Sequence, residues 1–388
     1  MTDISTSGNN QTSNDNLALR IFQWLFVLVL IYLLITAVGM IGSGFKGATK
    51  GQATDLFAFA TNPFMGLIIG VIATAMIQSS STVTSIIVGL VAGGLSVEMA
   101  VPMIMGANIG TTITNTIVSL GHINKKKEFR RAFAAATVHD FFNLMAVAIF
   151  LPIEILFHPL QKAAGYLAER LVGGENLSVK GLNFIKPMTK PVIDQFKSLA
   201  HMISESAPNV LLIVFGITII FMVIIFIGKL LKKLMVGRAK DIMHGSIGRG
   251  PISGIASGAI VTVLVQSSST TTSLMVPLAG SGVFKLKQIY PFTLGANIGT
   301  TITALLAATA ISGDHAILAL QIALVHLIYN LSAVFLIYGI KDLRKIPIRG
   351  ALWLARIAAD HKIYALLYML GVFFALPGLM VFIYQLIA

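Results

Sequence analysis

The chain has 388 residues, 56% of them hydrophobic and 11% charged, with a mean hydropathy of +0.85. A soluble domain carries about 25% charged residues, so the composition excludes an ordinary soluble protein. The net charge is +13 with no cysteine, which excludes disulfides, thiolate chemistry and cysteine-based metal sites.

The predicted elements follow in chain order. Residues 1–20, "MTDISTSGNNQTSNDNLALR", form a polar leader with one cation, Arg20. It has too little apolar surface to fold and reads as disordered, and it lacks the signal-peptide pattern. Residues 21–62 hold the first membrane helix and a linker, because "IFQWLFVLVLIYLLITAVGMIGSGF" (21–45) reaches the ~20 apolar residues a span needs. Residues 63–157 are a first repeat. Residues 158–250 hold an extracytoplasmic loop, a connecting helix (209–228) and the basic segment "KLLKKLMVGRAKDIMHGSIGR". Within that loop, "MTKPVIDQFKSLAHMISES" (188–206) has the pattern of an interfacial amphipathic helix. Residues 251–340 are a second repeat, and 341–388 hold the basic loop "KDLRKIPIR" and a final membrane helix.

The repeats rest on three motifs in one order. "QSSSTVTS" (78–85) recurs as "QSSSTTTS" (266–273), "GANIGTTIT" (106–114) recurs at 295–303, and "VHDFFN" (138–143) recurs as "VHLIYN" (325–330). Upstream, Pro63, Gly66, Gly70 and Thr74 match Pro251, Gly254, Gly258 and Thr262. The loop "HINKKKEFRR" of the first copy is basic, whereas its counterpart "ISGDH" carries Asp314 and neither Lys nor Arg. Cationic loops stay cytoplasmic, so equivalent loops face opposite sides and the repeats are inverted. With a cytoplasmic N-terminus, helix parity places every strongly basic segment inside. The expected class is an all-α polytopic membrane protein of two inverted repeats, each with a re-entrant helical hairpin broken at QSSS, the architecture of secondary transporters.

Residues 63–77 are too few to span a bilayer, and Ser and Thr both compete for backbone hydrogen bonds and cap new helices. Non-helical backbone at membrane depth survives only inside protein or along a wet cavity, so each break is a site candidate. A half-helix start offers free N–H groups and a positive dipole end to an anion. Hydroxyls, the Gln amide and unwound carbonyls offer neutral oxygens to Na⁺. In "GANIGTTIT" the glycines are expected to loosen the helix, Asn108 to supply an amide and Thr111 and Thr112 to restart it, with Asn297, Thr300 and Thr301 repeating this. Small residues such as Gly66/Gly70 and Gly254/Gly258 also suit close helix packing. His139, Asp140 and His326 are ionisable groups near apolar segments, but histidines also bond simply from helix to helix. Helix-to-helix bonding is the favoured reading for Asn143 and Asn330.

The paired QSSS motifs, both copies of GANIGTTIT and "EFRRAFAAATVHDFFN" resemble the type II sodium-dependent phosphate cotransporter family, over about residues 21–387. The resemblance implies phosphate uptake driven by Na⁺ as coupling ion, no other cofactor, and a multi-pass bacterial inner-membrane protein in contact with membrane lipid but not nucleic acid. It implies phosphate ligands at Gln78, Ser79, Ser80, Ser81 and Thr82 and at Gln266, Ser267, Ser268, Ser269 and Thr270. For Na⁺ it implies Gln78 and Gln266 with Asn108, Thr111, Thr112, Asn297, Thr300, Thr301 and Thr303. Animal members carry a long disulfide-bonded central loop, which this cysteine-free chain lacks. The rival readings are an anion channel, a proton-coupled oxyanion carrier, and an intramembrane serine hydrolase. The last would need a base beside the serine, and no G-x-S-x-G is present.

Overall fold

The computed structural model describes residues 8–49, 62–173, 185–247, 249–309, 311 and 315–387. These are almost wholly helical, and five helices are long and apolar enough to cross a membrane. The basic-loop argument at Asp314 falls outside the described residues.

Helix α1 spans Gly8–Thr49. The leader, expected to be disordered, is helical from Gly8. Once an apolar segment has nucleated a helix, each added residue gains a backbone bond for one fixed residue, so the helix extends into polar sequence. Beyond it come α2 (Pro63–Ile77), α3 (Ser80–Ala92), α4 (Val97–Gly110), α5 (Ile113–Leu120) and the long α6 (Lys126–Phe157). Asn62 accepts from the Phe64 N–H at 2.8 Å and Pro63 sits at the first helical position, two signals of a fixed helix start.

In segment 158–208, expected as a loop with an amphipathic helix at 188–206, the described residues form α7 (Pro159–Gly173), which the sequence did not suggest, and α8 (Ile185–Ile203), which lies where the amphipathic pattern is read. Buried Glu154 on α6 accepts from the N–H groups of Leu160 at 2.8 Å and Gln161 at 3.0 Å, so its carboxylate caps α7. Helix α9 (Pro208–Ser246) absorbs most of the basic segment. The second copy holds α10 (Pro251–Val265), α11 (Ser268–Ser273), α12 (Met275–Ser281), α13 (Leu286–Thr309) and α14 (Ala316–Ala333), which continues through a π-helical turn to Tyr338. Part of the expected basic loop is helical too, as α15 (Lys345–Asp360), whose Ala351, Ala355, Ala358 and Ala359 face inward. A final helix is split by a π turn into α16 (Ile363–Leu370) and α17 (Leu376–Ile387).

Each copy is built on a glycine seam. Helix α2 packs on α4, and α10 packs on α13. A Cβ at Gly106 would lie 2.0 Å from the Leu67 carbonyl oxygen, and one at Gly295 would lie 1.9 Å from that of Ile255. The glycines of GANIG are therefore contact points between backbones, not the helix looseners the sequence suggested.

The copies then exchange partners. Helix α3 of the first copy packs on α13 and α14 of the second, while α11 and α12 of the second pack on α5 and α6 of the first. Helix α7 lies on α14, and α15 lies on α6. Gly280 meets His122, and Gly282 meets Arg131. At the opposite end of the first copy, Ala92, Ile311 and His315 line one cavity. The turn after α15 returns to the basic loop of the first copy, where Lys126 pairs with Asp360 and Lys362 donates to the Ile123 carbonyl. That pairing holds the Asp360 carboxyl below the usual carboxylate range.

Candidate functional site around the two helix breaks

Both QSSS motifs interrupt their helices in the same way. Gln78 ends α2 with φ of 57° and Gln266 ends α10 with φ of 55°. A non-glycine residue in this left-handed region costs about 1–2 kcal/mol, yet the strain recurs at the same motif position. Next, Ser79 and Ser267 adopt extended backbone and cap the helices that follow. Ser79 Oγ accepts from the Thr82 N–H at 3.2 Å, and Ser267 Oγ accepts from the Thr270 N–H at 3.1 Å. Capping by this residue leaves the N–H groups of the next two serines, Ser80/Ser81 and Ser268/Ser269, without an intrahelical acceptor. Those four side chains are buried. One turn before each break, the buried hydroxyls of Thr74 and Thr262 have no partner among the described residues.

The glutamines differ. Gln266 donates from Nε2 to the Val263 carbonyl at 2.7 Å and accepts at Oε1 from the Thr303 hydroxyl at 2.9 Å. Gln78 is exposed. Its counterpart for Thr303 is Thr114, whose enclosed hydroxyl has no partner among the described residues.

GANIGTTIT also behaves differently in the two copies. In the first copy the helix breaks at Thr111–Thr112, between α4 and α5. In the second, α13 runs unbroken through Thr300, Thr301 and Thr303, so the expected repeat of this break is absent. Local chemistry does not separate them: Thr111 and Thr300 hydroxyls each bond the carbonyl four residues back, at 3.0 Å. The cause lies across the interface. In a continuous helix the Thr111 carbonyl would accept from the Asn115 N–H. Here that N–H turns to the Thr112 carbonyl at 3.1 Å, and the Thr111 oxygen accepts a long 3.4 Å bond from Ser269 Oγ. Thr272 of the second copy also donates to Asn115 Oδ1 at 2.9 Å. The position equivalent to Asn115 is Ala304, which offers no such anchor. Asn115 and Thr272 escaped the sequence reading because their motifs pair only in space. The adjoining "TNT" after GANIGTTI was the available signal.

The asparagines form a reciprocal network. Asn108 Nδ2 donates to Asn330 Oδ1 at 3.0 Å, and Asn297 Nδ2 donates to Asn143 Oδ1 at 2.8 Å. Asn108 Oδ1 lies 3.2 Å from His326 Nε2, and Asn297 Oδ1 lies 2.8 Å from His139 Nε2. An amide oxygen only accepts, so both histidines carry their proton on Nε2. Every one of these bonds joins one copy to the other. Interhelical bonds in membrane proteins contribute only ~0.6 kcal/mol each on average, but an orphaned amide in hydrocarbon costs several kcal/mol. The network therefore acts mainly by penalising any other register. Asp140 has no acidic counterpart and instead accepts from the Tyr368 hydroxyl at 2.9 Å; its other oxygen has no partner among the described residues.

Comparison with known proteins points the same way. A family model described as Na+/Pi-cotransporter matches residues 33–176 and 219–345. The chain is similar to the human sodium-dependent phosphate transport protein 2B, with 32% identity over 91% of this chain and 64% of that protein. It is 34% identical to rat sodium-dependent phosphate transport protein 2A, over 91% of this chain and 66% of the relative. The bovine 2B protein is also 34% identical, over 93% and 64%. The chain thus spans about two thirds of the length of these relatives. No solved structure matches it.

Proposed function

The chain belongs to the Na+/Pi-cotransporter family, and from that premise we propose that it is a symporter importing inorganic phosphate with Na⁺ across a bacterial inner membrane by alternating access of two inverted repeats. The observation that carries this reading is the duplicated break: two strained glutamines, two capping serines and two pairs of unbonded serine N–H groups.

In this reading, phosphate takes the N–H groups and hydroxyls of Ser80 and Ser81, with Gln78, Ser79 and Thr82 around them, and of Ser268 and Ser269, with Gln266, Ser267 and Thr270. Helix starts bind oxyanions through such N–H groups and the helix dipole. Na⁺ takes neutral oxygens: Gln78 with Thr111 and Thr112, and Gln266 with Thr300, Thr301 and Thr303. Asn108 and Asn297 each keep a second acceptor lone pair beside the bond from the His326 or His139 N–H, and that lone pair can serve Na⁺ without breaking the bond.

The inverted orientation is supported by the ends that meet. The close of the second QSSS hairpin touches the basic loop of the first copy, and the close of the first lines a cavity with Ile311 and His315 of the second. Alternating access is supported by the unequal glutamines. The opposite state would bond Gln78 to Thr114 and release Gln266 from Thr303.

The test is radiolabelled phosphate uptake into proteoliposomes under an inward Na⁺ gradient, against an equal K⁺ gradient. Uptake that saturates and needs Na⁺ is expected. Equal uptake with both cations would remove Na⁺ coupling and favour a proton-coupled carrier or a channel.

A further inference from the structure

Helix α15 joins two helices that are long and apolar enough to cross a membrane. One ends at Tyr338 before it, and the other starts at Ile363 after it. Its own 16 residues hold Lys345, Arg349, Arg356 and Asp360, too few and too charged for a crossing. A helix tied at both ends to crossings lies near the membrane surface. Its inner face packs along α6. Ala355, Ala358 and Ala359 cluster with Phe129 and Phe133, and Gly350 meets the Phe141 ring.

The opposite face is exposed. At 3.6 residues per turn, Ile346, Arg349, Trp353 and Arg356 fall in one arc, with Leu352 at its edge. Ile346 is 49%, Leu352 46% and Trp353 61% exposed, and both arginines are exposed as well. Neither arginine forms an ion pair among the described residues, and the acids of this stretch, Asp342 and Asp360, are taken by Lys345 and Lys126. Water would leave the three apolar side chains uncovered. Hydrocarbon would leave two guanidinium groups without an anion. The headgroup layer suits both, because Trp favours that depth and guanidinium groups bond phosphate oxygens in pairs. A free phosphate ion would match the arginines and leave the apolar residues bare. A soluble acidic partner would have to displace lipid from a face bracketed by two crossings.

We infer that this face of α15 is a docking surface for anionic phospholipid, with headgroup phosphates on Arg349 and Arg356 and with Ile346, Leu352 and Trp353 set into the upper acyl region.

Trp353 is a built-in probe, because the only other tryptophan is Trp24. Full-length Trp24→Phe protein is reconstituted in equal phosphatidylglycerol and phosphatidylcholine, with bromine on one lipid at a time, at a shallow or a deep acyl position. Shallow bromines should quench Trp353 more strongly than deep ones. Quenching by brominated phosphatidylglycerol should correspond to about tenfold local enrichment over phosphatidylcholine, the scale expected for two cations at an anionic surface. Arg349→Gln with Arg356→Gln should abolish that enrichment and keep the shallow depth, whereas millimolar inorganic phosphate should leave the enrichment unchanged. No quenching, or strongest quenching by deep bromines, would overturn the placement in the headgroup layer. Equal quenching by the two lipids, enrichment that survives the double substitution, or its loss in phosphate would overturn the anionic-lipid assignment. If the Gln variant does not fold, the depth and headgroup comparisons on the Trp24→Phe protein still decide.

Discussion

The two copies carry nearly the same motifs, yet they do not hold them alike. At the second break Gln266 is bonded on both ends of its amide, and the helix carrying Thr300 and Thr303 is continuous. At the first break Gln78 is exposed, Thr114 has no partner among the described residues, and the corresponding helix is interrupted at Thr111–Thr112. Residues 106–114 and 295–303 are identical, so the difference cannot come from local propensity. It comes from what each motif faces: Ser269 and Thr272 draw on Thr111 and Asn115, and Ala304 gives the other copy nothing to draw on. One sequence therefore occupies two conformations within one molecule.

Three pairs of substitutions probe that contrast. The largest effect is expected where the copies agree. Gly295→Ala and Gly106→Ala each press a methyl group into a carbonyl at about 2 Å. Overpacking of this kind costs about 1–3 kcal/mol, and here backbone rather than a flexible side chain must yield, so both variants should lose most folded protein in fluorescence-detected size exclusion. A monodisperse, wild-type-like yield from either would refute the seam. Next come Thr303→Val and Thr114→Val. If each threonine serves its glutamine in one of two states, both should lower Na⁺-driven uptake by about tenfold, the scale of one polar group lost from a buried pair. An effect confined to Thr303→Val would mean that the Gln78–Thr114 bond never forms. The smallest functional change is expected from Lys126→Cys and Asp314→Cys, which should label from opposite membrane faces in otherwise active protein. Labelling from the same face would end the inverted reading.

Much of the molecule was legible in its sequence, for physical reasons. An apolar run interrupted by Gln and a string of hydroxyls cannot continue as a helix without back-bonding, so the ends at Gln78 and Gln266 could be placed within a residue. The repeat could be read because identical contacts need identical residues. Helices α7 and α15 were less visible than α8, whose amphipathic pattern could be read, because their apolar residues are interleaved with Lys and Arg in short segments beside a loop. The glycines of GANIG were misjudged because a glycine that loosens a helix and one that admits a neighbouring backbone look alike in one dimension. The asymmetric break was unreadable for a stronger reason: its determinants, Ser269, Thr272 and Asn115, lie in different copies.

The His–Asn exchange bears on ancestry. Asn108 finds both its side-chain partners in the second copy, and Asn297 finds both of its own in the first. A chain of half this length could not satisfy either amide within itself. It would have to meet a second molecule of its own kind and, under the inverted topology proposed above, one inserted the other way up. Gene fusion would then have fixed in one polypeptide a partnership already specified by its side chains, after which the halves could diverge, as Asp140 against Leu327 and Asn115 against Ala304 have done.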